Sequence, residues 1–405
     1  MNLKRWETVD GVFLTCVNIP DAKEVCLSVN LLTQLSREYA AANAMIPPVL
    51  CCGTVLNTKE ALAQRFEETG SLTLSPLSRC VGEIQCIGLR SVYTPSFDGK
   101  KDIFLYPAAS LLAEIFLSPA TRGGLFIPSN VDAAREEAEE RDAAELSPAD
   151  YALTRCLAEM CCYEDYSAQF PGGSSVDSFN YKKLSKHYRS LLQSSPVEII
   201  YVGASDPDHV LSVFKDAFSA MPCSERSFDL GTDIRMNAVE DTLRRLVEPG
   251  NSDYSVLGCR IGEITEEPDA AVLEVLKQLI SLGLTASGCS DHSVFVDRHK
   301  GLLLCALPLG ADEALNVFDS VIEQIIQSNI CGLQTAAENA ADVFLAAEKS
   351  AAEIENFTLA RLLDGPDCSP SELAEAARMV ESEEVSAYAA SLEKDYLFSL
   401  SSSAL

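Results

Sequence analysis

The chain has 405 residues, enough for two domains of ordinary size, and 47% of them are hydrophobic, which supports large buried cores and not disorder. Its 60 acidic residues outnumber 31 basic ones, for a formal net charge of −29. That balance excludes a nucleic-acid binder, which needs a basic surface, and a protein that docks on anionic lipid; it suits partners or substrates of positive charge. The first twenty residues contain no sustained apolar stretch of the signal-peptide kind, and no apolar run nears the roughly 18 residues of a membrane helix, so a cytoplasmic location is expected.

In chain order, residues 11–19 and 23–32 read as strands, the second with Val25, Leu27, Val29 and Leu31 alternating with smaller or polar residues. Helical patterns follow over 36–52 and 58–68, the latter with Thr58 as N-cap. Residues 71–92 read as a β-hairpin and 107–119 as a helix. A long charged helix spans 130–162, with a break expected near Ser147-Pro148. The loop 166–179 leads to a helix over 180–195 and the apolar strand 197–204. The second stretch repeats this order more loosely. A helix at 206–221 and a polar linker at 223–232 lead to strands at 242–250 and 254–263. A helix at 268–284, strands at 292–297 and 301–310 and a helix at 312–328 come next. Two more helices are expected, the last near 382–392, and a closing strand at 396–400. The predicted fold class is α+β: two homologous repeats, each a mostly antiparallel sheet packed against several helices. The expected division is 1–215 and 216–405.

The 15 cysteines are scattered through apolar segments, as at Cys16, Cys86, Cys259 and Cys305, and read as reduced core thiols. No C-x-x-C occurs, and the vicinal pairs Cys51-Cys52 and Cys161-Cys162 lie in helical runs where neighbours point apart, so neither is expected to hold zinc or to do redox chemistry. The phosphate-loop, dinucleotide and nucleophile-elbow motifs are absent. Four histidines occur, His187, His209, His292 and His299, none spaced to pair with another on one helix face. The stretch "PGGSS" at 171–175 reads as a plain flexible loop, with an anion cradle of backbone N–H groups as the less favoured alternative.

One stretch breaks a local rule. "AMIPPVLCCGT", residues 44–54, sets two adjacent prolines inside an Ala-rich helical run, where each costs about 3 kcal/mol. The order strand–strand–helix–Gly-Thr–helix–hairpin, used twice, resembles the insulinase/pitrilysin family of zinc peptidases, to which the mitochondrial processing peptidase belongs. "VLCCGT" with Thr58 and its helix, "YALTRCLAEMCCYEDYSAQFPGG", "KKLSKHYRSLLQSSPVEIIYVGA" and "HSVFVDRHKGLLLCA" carry the resemblance across nearly the whole chain. The resemblance implies His-x-x-Glu-His on the helix before Gly53-Thr54, with two imidazoles one turn apart as zinc ligands and the glutamate as general base. Counted from Gly53, the histidine positions hold Ala44 and Pro48 and the glutamate position holds Pro47, none of which can ligate or take a proton. The helix is then free to kink or restart at the prolines.

The third ligand of the family is a glutamate on the long downstream helix. Among Glu136, Glu137, Glu139, Glu140 and Glu145, Glu140 is the nearest match, set against a plain solvated acidic face. In the second repeat, Arg298 matches the family's substrate arginine, while Leu304 stands where the family has a hydrogen-bonding tyrosine. The expected protein is thus a pseudo-peptidase without zinc or another cofactor. It would be the non-catalytic subunit beside a catalytic insulinase-family relative, handling a peptide substrate. The alternative is a second copy of itself, as a peptide-binding or scaffolding homodimer.

Overall fold

The structure, a computed structural model, describes residues 2–99, 101–143, 146–161, 164–170, 175, 179–222, 230–231, 243–261, 269–327, 332–364 and 368–402. Along the chain come β1 (Asn2–Val9), β2 (Val12–Asn18), β3 (Val25–Gln34), α1 (Ala40–Leu50), α2 (Lys59–Glu68), β4 (Thr73–Val81) and β5 (Ile84–Tyr93). Two short ribbons, β6 (Phe97–Asp98) with β7 (Lys101–Asp102) and β8 (Thr121–Arg122) with β9 (Leu125–Phe126), flank α3 (Leu105–Leu117). Then follow α4 (Pro128–Ala143), α5 (Pro148–Met160), a 3-10 turn (Asp165–Gln169), α6 (Tyr181–Ser194), β10 (Val197–Gly203) and α7 (Pro207–Ala217). The remainder holds β11 (Arg244–Pro249), β12 (Tyr254–Arg260), α8 (Ala270–Ala286), β13 (Ser293–Asp297), β14 (Leu302–Leu307) and α9 (Ala311–Ile326). It ends with α10 (Leu333–Ala346), α11 (Ala351–Asp364), α12 (Pro370–Met379), α13 (Ser382–Ala390) and β15 (Glu393–Ser401).

These elements form two compact units. Unit 1 comprises Met1–Ala143, Ser174–Gly231 and Ala347–Gly365; unit 2 comprises Ala144–Gly173, Thr232–Ala346 and Pro366–Leu405. Unit 1 is built on a six-stranded sheet in the order β1-β2-β10-β3-β5-β4, antiparallel except that β10 runs parallel to β2. The period of two puts Leu14, Leu27, Val29 and Ile199 on the face covered by α1, α3, α6 and α7. Val17, Cys26, Cys86, Ile200 and Val202 face the other way, against Ala351, Ile354 and Leu359 of α11. Unit 2 has a five-stranded sheet, β11-β15-β12-β14-β13, with β11 parallel to β15 and the other pairs antiparallel. Leu257, Cys259, Leu303 and Cys305 meet α8, α9 and α10. Val256, Leu302, Leu304 and Phe398 meet Ala152, Cys156, Leu157 and Met160 of α5. Cover on both faces explains why β3, β10 and β14 read as near-continuous apolar runs.

The mostly antiparallel α+β repeats are as expected, but three details differ. The units are not the continuous segments 1–215 and 216–405, because α5 covers the sheet of unit 2 and α11 covers the sheet of unit 1. Each seat has its own chemistry. Glu355 of α11 is fully buried; it accepts from Ser28 Oγ at 2.5 Å and from Arg79 at 2.5 and 2.9 Å, with Arg90 at 3.5 Å. On the other sheet, a Cβ at Gly258 would stand 2.1 Å from Met160 Sδ, so glycine is what lets α5 lie so close. The second difference is helix number: after α9 the described residues hold four helices where two were expected. They are short and separately started, α12 and α13 each by a reciprocal capping box, Ser369 with Glu372 and Glu381 with Glu384. The strand β1 was also not expected; Lys4, Arg5 and Glu7 mark it as a charged edge.

Candidate functional site

The helix α1 is buried on most sides, through Ala42, Asn43, Met45, Ile46, Pro47, Val49 and Leu50. Ala44 and Pro48, one turn apart on the same face, are half-buried. No restart occurs at the prolines: α1 is one helix from Ala40 to Leu50 with both inside it, within the helical run expected over 36–52. Neither has an N–H, so the carbonyls of Asn43 and Ala44 forgo their helical donors. Side-chain bonds tie the helix to its neighbours from its buried flank. Asn43 Nδ2 donates to Gln85 Oε1 at 2.8 Å, and Gln85 Nε2 donates to the Ala40 carbonyl at 3.0 Å and to Ser78 Oγ at 3.3 Å. His187 Nε2 lies 2.7 Å from Asn43 Oδ1.

The loop after α1 is tightly fixed. Gly53 has φ +130, which only glycine adopts readily, and a Cβ there would meet the Asn57 carbonyl at 3.0 Å. Thr54 Oγ1 accepts from the N–H groups of Leu56 and Asn57 and donates to Glu114 Oε1 at 2.5 Å. Asn57 Nδ2 and Arg65 complete the shell of Glu114 at 2.7 and 2.8 Å. Burial works against the Glu114 carboxylate, but these bonds outweigh it and hold its pKa below the usual value. Thr58 caps α2 as expected, accepting from Ala61 N–H at 3.3 Å. The loop presents two apolar side chains to solvent, Val55 at 64% and Leu56 at 79% exposure. They border an open cavity of about 530 Å³ that Cys52, Ala120, Ile127 and Asn130 also line.

Glu136, Glu137, Glu139 and Glu140 all lie on the exposed side of α4, while Val131, Ala134 and Ala138 face the core against which α1 also packs. Glu140 is thus in the same unit as Ala44, Pro47 and Pro48 but turned to solvent. Glu145, and residues 171–174 of the "PGGSS" stretch, lie outside the described residues. In unit 2, Leu304 is fully buried in the core beneath α5, and Arg298 is half-buried in the turn between β13 and β14. Beside it, Asp297 accepts a short bond from Tyr166 and the Lys300 N–H at 3.0 Å, and Lys300 Nζ stands 5.1 Å over the Tyr166 ring. Burial raises the Asp297 pKa, against the pull of the Lys300 and His299 bonds.

Sequence reasoning overlooked three features: Glu114, Asn43 with His187, and Asp297 with Tyr166. A lone charge in "SLLAEIFL" and a lone amide in "AAANAMI" were the only signals available. A zinc ion does not fit α1: Ala44 and Pro48 have no lone pair to give, and Pro47 cannot act as a base. Among the described residues no group of three or more His, Cys, Asp or Glu is arranged to hold a metal.

No family model matches the chain. "Probable inactive metalloprotease YmfF" of Bacillus subtilis (strain 168) is 27% identical over 213 residues, 51% of this chain and 50% of that protein, so the match spans about half the length of the curated relative. Among solved structures, a conserved protein from Enterococcus faecalis V583 superposes with a TM-score of 0.85 at 15% identity, covering 99% of this chain and 98% of that one. A peptidase M16 inactive domain from Pseudomonas fluorescens gives 0.72 at 15% identity, over 99% and 98% of the two chains. The fold is therefore that of the M16 peptidases, the insulinase-like group the sequence resembles. The sequence lacks His-x-x-Glu-His, and the curated relative it is similar to is named a probable inactive metalloprotease.

Proposed function

We propose that this chain is the non-catalytic subunit of a two-subunit, insulinase-type zinc peptidase, and that its partner carries the intact His-x-x-Glu-His. One feature supports the reading: counted back from Gly53, the ligand and base positions of the resembled motif fall on Ala44, Pro47 and Pro48, while the Gly-Thr and Thr58 that follow it in the resembled segment are present. Gly53, Thr54, Thr58 and the Glu114 shell still build the loop that follows the motif helix. A chain freed from all function would have no reason to keep that loop over an empty motif.

The role is to supply one wall of a peptide chamber. β4 is an edge strand next to α1, and an extended peptide can add to such an edge through main-chain bonds, with Pro76 removing one donor from the strand. The net charge of −29 favours peptides of positive charge, and Arg298 in unit 2 is the residue we assign to substrate contact there. The peptide is handled in the cytoplasm; no helix among the described residues is long and apolar enough to cross a membrane.

The test is reconstitution. The purified chain is mixed with a relative from the same organism that bears His-x-x-Glu-His, and basic peptides are supplied. The expected result is a complex with one zinc per pair that cleaves peptides the chain alone leaves intact. Cleavage and stoichiometric zinc in the chain alone, both lost with Glu140→Gln, would sink the proposal. A zinc-free homodimer that binds peptide and ignores the relative would favour a scaffolding role.

A further inference from the structure

The polar bonds beneath α1 form a chain whose direction is fixed at one end. The Ala40 carbonyl can only accept, so the Gln85 side chain must present its NH2 there. Its Oε1 then faces Asn43, which must donate through Nδ2. Asn43 Oδ1 is left facing His187, and an acceptor at 2.7 Å requires a hydrogen on Nε2. No flip of either amide satisfies the carbonyl and reverses the chain. The ring is stacked on Tyr39 with centroids 4.9 Å apart and lies 6.0 Å from Phe179. Among the described residues no acceptor is paired with Nδ1.

We propose that His187 is the neutral, Nε2–H terminus of a one-way hydrogen-bond chain that clamps the motif helix α1 to β5 and α6, and that protonating it loosens the clamp. The chain ties α1 to its neighbours through fixed polar bonds. Protonation keeps the Nε2–H but adds an N–H at Nδ1 without a partner, inside a half-buried aromatic setting. The charged and titratable groups around it offer no counter-ion. Arg135 of α4 is a cation engaged with the Phe179 carbonyl and Asp132, and Lys183 and Lys186 on α6 are cations. Glu38 is bonded to Tyr39, the ring that stacks on His187. Burial favours the neutral ring in the same sense.

The experiment uses the full chain with 15N-labelled histidine, His187 being assigned through H187Q. The two ring nitrogens are followed from pH 5 to 8, with amide exchange of α1 measured in parallel. The expected result is the Nε2–H tautomer, a midpoint below 6.5, and α1 exchange that quickens as the ring charges. Asn43→Asp, which sets a carboxylate against Nε2, moves the midpoint upward. His187→Leu speeds α1 exchange roughly tenfold, the scale of one lost buried donor, and H187Q, which keeps a donor, restores protection without the pH dependence. An Nδ1–H tautomer, an unmoved midpoint in N43D, or H187L exchange equal to that of the unchanged chain each overturns the proposal.

Discussion

The two units follow one path with different contents. The order β2-β10-β3-β5-β4 in unit 1 corresponds to β11-β15-β12-β14-β13 in unit 2, and each has its parallel pair at the same place, β2 with β10 and β11 with β15. The helix after the third strand of that path separates them. In unit 2 it is α8, 17 residues without proline, with Asp269 accepting from the Ala271 and Val272 N–H groups. In unit 1 it is α1, 11 residues with two prolines and no side-chain cap. α8 has a side-chain cap and an uninterrupted run of backbone bonds; α1 has neither. The local rule is broken on the helix where the resemblance places the zinc motif, and functional sites are where such violations are expected. The outer helices differ in the same way: α11 is seated by buried charge, α5 by close apolar contact.

The largest effect expected comes from the charged seat. Glu355→Ala strands Arg79 and Arg90 and should cost about 3–5 kcal/mol in urea unfolding; a loss near zero would show that α11 does not depend on this cluster. In the apolar seat, Gly258→Ala forces Met160 aside and should cost about 1–3 kcal/mol. Here the smaller value is expected, because a thioether yields where a stranded guanidinium cannot. Pro48→Ala should stabilise by about 2 kcal/mol, the roughly 3 kcal/mol of a helix-interior proline less about 1 from the freer unfolded chain. A loss instead would mean that the Pro48 ring packs better than the restored bond. The smallest effect is one of pH. Glu114 is held below its ordinary carboxylate value of 4.5, so its share of stability is present above that pH and lost as pH falls through the lowered value. Proteolysis of residues 53–58 should therefore quicken in acid, and Glu114→Gln should quicken it already at neutral pH.

Much of this was legible in the sequence, because the signals were periodic or punctuated. The alternation in 23–32, the Thr58 cap and the Ser147-Pro148 break each settle a local choice of backbone, and all three elements formed where expected. The helix expected over 36–52 formed as α1 despite the prolines at 47 and 48, since tertiary packing overrode a local penalty. Four short helices merged into two because their separators are brief. The exchange of α5 and α11 between sheets leaves no local trace at all: an amphipathic helix states that it has a partner, not which one. The absence of His-x-x-Glu-His is plain in the sequence, and the count back from Gly53 proposes where its positions fall. The bonds of Asn43 with Gln85 and His187 join three separated segments and needed the fold.

The central claim is that this chain completes a zinc peptidase without contributing its chemistry. The most direct measurement is kcat/KM on basic peptides for a reconstituted pair, with the zinc count per pair and the histidine motif intact in one chain at a time. The account predicts one zinc, activity that requires both chains, and complete loss when the partner's motif is removed. Undiminished activity of the partner without this chain, or zinc-dependent cleavage by this chain alone, would contradict it.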